Sequence, residues 1–276
     1  MTTISPSMSV PREDERVEIK TMPFFSQLTM MTWRSLYTLL RTPEAVIPSL
    51  LISAFFLIIY DASLGDAAGF LPGLSGTDYL AFVLPLSVIS ASLNSPAGQA
   101  IVRDIESGYF DKLLLTPISR TALLLAPIIA ASALVGVQTI IITVIALLMG
   151  LESATGVPGL LAVMGFALLV GTGFSGFTIG IALRTNNAAA TQGASFIFFP
   201  LSFLTATFVP VELLGGWLEV AARLNPITYI LDATRTILIS GWDAEKILIG
   251  LLACAVLGIL PFMFALLSLR NRTARK

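Results

Sequence analysis

The chain alternates long uncharged runs with short charged interruptions, and the lengths of those runs predict its elements. Five runs hold no charged residue for twenty or more positions: Tyr79 to Val102, Thr121 to Leu151, Ser153 to Leu183, Thr185 to Val211 and Ile247 to Leu269. A helix crosses the ~30 Å hydrocarbon core of a bilayer in about twenty residues, so each run is long enough to span. A sixth run, Ala45 to Tyr60, reaches spanning length if its helix starts at Pro43 and continues past Asp61. The pattern therefore predicts six transmembrane helices.

Ahead of the first span, Phe24 to Arg41 is amphipathic. Trp33, Leu36, Tyr37 and Leu40 share one helical face, and Gln27, Arg34, Thr38 and Arg41 share another. Such a helix suits a membrane interface, with Trp33 and Tyr37 at headgroup level. It serves either as a simple anchor or as a lever linking a cytoplasmic partner to the first span. Residues 1–23 are polar, lack the apolar core of a signal peptide and read as a disordered tail.

The segment RDIESGYFDKLLLTPISR, Arg103 to Arg120, carries six charged residues between two spans. Burying them in lipid at ~2.5 kcal/mol each would cost on the order of 15 kcal/mol, so the segment must lie outside the bilayer. Asp104 and Glu106 favour a helix start, Gly108 permits a sharp backbone change, and Pro117 stops a short helix over Tyr109 to Leu115. Asp111 and Lys112 suit water. Phe110, Leu113, Leu114 and Leu115 suit an apolar surface, so the helix invites a soluble partner.

Between the last two spans, Trp217 to Leu224 predicts a short helix ended by Asn225-Pro226, with Asn225 as N-cap and Pro226 opening the next helix. Ile227, Ile230, Leu231 and Leu238 line one face of that second helix, and Gly241 closes it. Asp232 and Arg235, three apart, are placed to pair. Residues 212–245 thus form a helical hairpin too short to span, either an amphipathic cap or a re-entrant element enclosed by protein or water.

Composition agrees with the membrane class: 55% of the 276 residues are hydrophobic and 12% charged, where soluble domains average about 25% charged. The net charge of -1 suggests no polyanionic partner such as nucleic acid. With both termini inside, thirteen of the sixteen lysines and arginines fall on the cytoplasmic side, and only Arg223, Arg235 and Lys246 fall outside. No histidine is present, which removes histidine-based zinc sites and Ser-His catalysis, and one cysteine, Cys254, allows no disulfide within the chain. GTGFSG, Gly171 to Gly176, matches a dinucleotide fingerprint but lies within an apolar span; Gly173, Gly176 and Gly180 instead suit close helix approach. No phosphate-binding GxxxxGK[ST] occurs, so an ATP requirement would be met on another chain. The spans also lack the ionisable groups of ion-coupled carriers.

Glu106, Gly108, Leu113, Leu114, Thr116, Pro117, Ser119 and Arg120, in that order, resemble the loop after the second span in permeases of the type-2 ABC-transporter family. NPITYILDATR, with Asn225, Pro226, Thr228, Tyr229, Asp232 and Arg235, is similar to the family's motif before the final span. The resemblance covers nearly the whole chain. It implies an all-α integral membrane protein with an interfacial helix (24–41), a six-span permease domain (43–271) and a short cytoplasmic tail (272–276). Within that domain lie a coupling loop (103–120) and an external re-entrant hairpin (212–245).

The resemblance further implies a non-enzymatic permease subunit in a bacterial inner membrane, paired with a second permease subunit, identical or a sister chain. Two ATP-binding subunits would hold ATP and Mg, and this chain no cofactor. Glu106, Gly108, Tyr109, Phe110, Leu113, Leu114 and Pro117 would couple to the ATPase, with Trp33, Arg34, Tyr37 and Arg41 on the interfacial helix. Ser87, Ser90, Asn94, Phe199, Phe203, Thr205 and Phe208 would line the conduit, or serve as helix-to-helix contacts. An aromatic, uncharged lining suits export of a drug-like or lipid-linked amphiphile. A polysaccharide or glycolipid is the alternative cargo, and a non-transporting scaffold or receptor subunit the alternative class.

Overall fold

A computed structural model describes residues 22–68, 79–93, 95–196, 200, 204–205 and 214–274. Among them are eleven helices and no strand. In chain order these are α1 (Phe24–Leu40), α2 (Pro43–Ala68), α3 (Tyr79–Leu93), α4 (Ala97–Glu106), α5 (Tyr109–Leu114), α6 (Arg120–Leu148), α7 (Gly156–Thr185), α8 (Ala188–Phe196), α9 (Trp217–Leu224), α10 (Pro226–Ile239) and α11 (Ala244–Ala274).

Five stretches are long and apolar enough to cross a membrane: Val46–Gly65, Tyr79–Glu106, Arg120–Leu148, Gly156–Thr185 and Ala244–Ala274. They match five of the six expected spans. The sixth, Thr185 to Val211, contributes α8, and most of its remainder lies outside the described residues, as does the polar start.

Two boundaries differ from expectation. The run Tyr79 to Val102 is two helices, because Pro96 lacks the N–H that would continue the ladder and instead caps α4. The last helix continues through Arg272 to Ala274, so the boundary expected after residue 271 falls inside it.

Helix α3 is enclosed on every side, and all fifteen of its residues are buried. It packs against α2, α6, α7 and α10. With no face for lipid, it has no need of an amphipathic period, and its sequence shows none. Its serines are accommodated by carbonyls: Ser92 donates to Ala167 O at 3.2 Å, and Ser87 to Val83 O at 3.4 Å. Just beyond it, the Ser95 and Ser175 hydroxyls meet at 2.7 Å.

Helices α7 and α11 form the most extensive contact in the fold. Small residues permit it: a Cβ on Gly173 would stand 2.2 Å from Leu257 O, and one on Gly180 2.2 Å from the Phe264 ring. Pro261 explains the first approach. Its missing N–H leaves the Leu257 carbonyl, four residues earlier, without its helical partner, and that carbonyl turns toward the space over Gly173. The expected packing role of Gly173, Gly176 and Gly180 is what the structure contains.

Candidate functional site

The charged loop between α4 and α6 is built as a sharp elbow. Asp104 and Glu106, expected to start a helix, instead end α4. Gly108 follows with φ 71°, a left-handed conformation that costs a side-chain-bearing residue about 1 kcal/mol, and the chain turns into α5. The helix stops at Leu114, one residue earlier than expected and three before Pro117.

Helix α5 is rooted in the protein through Phe110, which is fully buried with Leu39, Val102, Leu124, Ile179 and Leu269. Phe110 is therefore an anchor within the chain. The exposed belt around it is made by Glu106, Lys112, Leu115, Thr116, Pro117 and Arg120, with Leu113 and Leu114 half-buried. Leu115 is 88% exposed. Beside the belt a cavity of about 260 Å³ is lined by Leu113, Leu114, Leu115, Ile118, Arg120, Leu123 and Thr273.

Helix α1 is tied to this elbow by its polar face. Arg34 donates two hydrogen bonds to Asp104, at 2.7 and 2.9 Å, and its guanidinium lies 3.9 Å from the centroid of the Tyr109 ring. The hydrogen bond to Asp104 raises the Arg34 pKa above its ordinary value, against the opposing effect of burial. Gln27, also buried, accepts from the Ser119 N–H at 2.9 Å and donates to Met22 O at 2.7 Å. Trp33, Tyr37 and Leu40 remain exposed on the opposite face, with Arg41 stacked 4.1 Å over Tyr37. The sequence offered Asp104 only as a helix start and Gln27 only as one member of a polar face, with no partner for either. Their signal was available only as an acidic residue and an amide on faces that later proved to meet.

At the other end of the molecule, the α9–α10 hairpin has the expected joint. The Asn225 side chain accepts from Ile227 N at 3.0 Å, and Pro226 occupies the first turn of α10. Ile227, Ile230, Leu231 and Leu238 are all buried, and Gly241 ends the helix at φ 108°. Tyr229 donates to Arg223 O at 2.6 Å.

Asp232 does not pair with Arg235. It accepts from Lys246 at 3.3 Å, while Arg235 turns inward and donates to Phe82 O at 2.9 Å, its guanidinium 3.5 Å from the Phe82 ring centroid. A spacing of three allows either partner, and the inward route gains an aromatic face.

Of the conduit candidates, Ser87, Ser90 and Thr205 are buried within the chain. Asn94, Phe199, Phe203 and Phe208 lie outside the described residues.

The helical order, the elbow after the second candidate span and the capped hairpin before the last coincide with a family match. Residues 26–239 match the family described as ABC-2 type transporter. The chain belongs to the ABC-2 type transporter family. ABC-2 family members are membrane subunits of transporters and work with ABC ATP-binding subunits.

Named relatives agree with the ABC-2 assignment. The chain is 24% identical over 244 residues to the daunorubicin resistance ABC transporter permease protein DrrB1 of Streptomyces coeruleorubidus, covering 86% of this chain and 83% of that one. It is 26% identical over 218 residues to a putative transport permease, ycf38, of Cyanophora paradoxa (77% and 74%). It is also 22% identical over 220 residues to a probable doxorubicin resistance ABC transporter permease protein, DrrC, of Mycobacterium tuberculosis (79% of each).

Proposed function

We propose that this chain is the export permease of an ATP-driven transporter that moves a drug-like or lipid-linked amphiphile out of the cytoplasm or inner leaflet. Six spans, with both termini cytoplasmic, would lie in a bacterial inner membrane, and a second permease subunit would complete the conduit. Two ATP-binding subunits, carrying ATP and Mg, would dock below. The relatives named for daunorubicin and doxorubicin resistance favour an amphiphilic cargo.

The observation that carries this reading is the construction of α5. Its buried Phe110 and the Arg34 contacts hold it on the protein, while Glu106, Leu115 and Pro117 stay exposed beside the leucine-lined cavity. A helix fixed on one side and left apolar on the other suits a coupling helix seated in a groove of the ATPase, with Glu106 as its polar anchor. The α9–α10 hairpin would close the outer end of the pathway as a re-entrant element.

Co-expression with the cognate ATP-binding subunit, purification and an ATPase assay in lipid test the proposal. Glu106→Arg and Leu114→Asp should uncouple hydrolysis from transport while the spans stay folded. Normal transport by both variants would remove the coupling role from α5. A protein that binds no ATPase and stimulates none would instead be a scaffold.

A further inference from the structure

Helix α11 touches both ends of the molecule. Its 31 residues extend about 46 Å at ~1.5 Å each. At its start, Lys246 pairs with Asp232 of α10, and Gly250 lies so near α10 that a Cβ there would stand 2.6 Å from the Ala233 Cβ. Along its middle, Leu257, Phe262 and Phe264 lie against Gly173, Gly176 and Gly180 of α7 with no side chain between them on the α7 side. Near its end, Ser268 accepts from Arg184 Nε at 3.0 Å.

The last contact is made by Arg272. Its guanidinium donates through Nη1 to the Asn186 side chain, at the left-handed turn that ends α7, and through Nη2 to Asp111 of α5 at 3.5 Å. The same group stands 5.4 Å from the Phe110 ring centroid. The side chain is only 12% exposed, although it lies in the last turn of the final helix.

We infer that Arg272 is a positioning residue that joins α5 to the α7–α11 pair, so that displacement of α5 is carried along α11 to the α9–α10 hairpin. The inference rests on the reading of α5 as the ATPase contact. Arginine suits the task because its planar fork holds two N–H groups at a fixed separation for acceptors on different elements, a geometry a lysine ammonium does not preorganise. Transmission follows from packing. The α11 backbone set against Gly173 and Gly176 and the Phe264 ring set against Gly180 leave little free volume in which α11 could slide past α7. At the far end both helices are held to α10, α7 through Thr155, just before its first turn, whose hydroxyl donates to Ile237 O at 2.8 Å, and α11 through Lys246. Arg34 grips α5 from the other flank, but α1 packs chiefly on α6 and, among the described residues, makes no extensive contact with α10.

The test uses the full complex with its ATP-binding subunit in lipid nanodiscs, with a spin label on Trp217→Cys. Trp217 is 74% exposed on α9, and Cys254 is buried away from the reagent. Arg272→Gln should leave assembly and basal ATP hydrolysis intact and reduce the nucleotide-dependent change in the label spectrum about tenfold, within the range of ordinary site-to-site couplings. Arg272→Lys should fall between it and the parent. An unchanged label response in Arg272→Gln overturns the inference. Should that variant fail to assemble, an unchanged response in Arg272→Lys overturns it equally, since the shorter, point-like ammonium does not reproduce the rigid fork that spans Asn186 and Asp111. Loss of assembly by Glu106→Arg alone keeps the α5 reading in force whatever Arg272 does. A parent protein that binds no ATPase removes that reading and this inference with it.

Discussion

Arg34 and Asp104, 70 residues apart, meet in a two-pronged ion pair at 2.7 and 2.9 Å, and the arginine covers the Tyr109 ring from above. The pair fastens the helix that precedes the first span to the elbow that follows the second. Both side chains are partly exposed, so the pair contributes modestly to stability, and its geometry matters more than its energy.

A double-mutant cycle measures it. Arg34→Ala and Asp104→Ala should show a coupling of about 0.5–1 kcal/mol by unfolding in a fixed lipid or detergent. Because the folded Arg34 pKa is raised, the arginine's share is present at all pH below its unfolded value and is lost only as pH rises through the folded one. The coupling measured at pH 7 should therefore persist at about pH 9. A coupling that vanished there would contradict the assignment.

Two glycines of α7 should respond oppositely to the same change. Gly173→Ala drives a methyl group against Leu257 O and should cost about 1–3 kcal/mol of stability. Gly165 has nothing within 4 Å of its would-be Cβ, so Gly165→Ala should be neutral or stabilising by up to about 1 kcal/mol. Melting temperatures of the two purified variants decide the matter.

The elbow at Gly108 is a matter of backbone conformation, since a Cβ there would meet nothing. Gly108→Val should cost about 1–2 kcal/mol and Gly108→Asn less, because asparagine tolerates the left-handed region. Amide exchange across Tyr109 to Leu114 should rise in the valine variant and stay near the parent in the asparagine one.

The hairpin joint depends on one oxygen. Asn225→Ala removes the acceptor for Ile227 N and should destabilise α10 by about 1 kcal/mol. Asn225→Asp keeps that acceptor and gives up the donation to Leu204 O, so its effect on the cap should be smaller. Exchange at the Ile227 amide is the direct readout, and equal rates in the two variants would refute the cap.

Local chemistry made much of this fold legible. Uncharged run length located five spans, and Asn225-Pro226 and Gly108 marked their turns, because each acts within a few residues. The glycines of α7 were readable as a small-residue face, though not their partner. Contacts between distant positions left no such trace. Gln27 with Ser119, 92 residues apart, and Arg272 with Asp111, 161 apart, obey no sequence period. Arg272 read as part of a basic tail, since positive charge after a last span needs no other explanation. Asp104 was misjudged as a helix start because a carboxylate normally favours that end, and its pairing with Arg34 outweighs the preference at the end of α4.

The enclosure of α3 bears on how the chain is made. A ribosome delivers α3 to the membrane before α6, α7 and α10, three of the four helices that surround it. Until residue 239 has emerged, a serine-bearing helix meant for a protein interior has only α2 and then α6 and α7 for company. Its nascent form therefore depends on shelter from the insertion machinery. Variants that slow synthesis or insertion of α10 should appear as degraded chains well before they appear as inactive transporters.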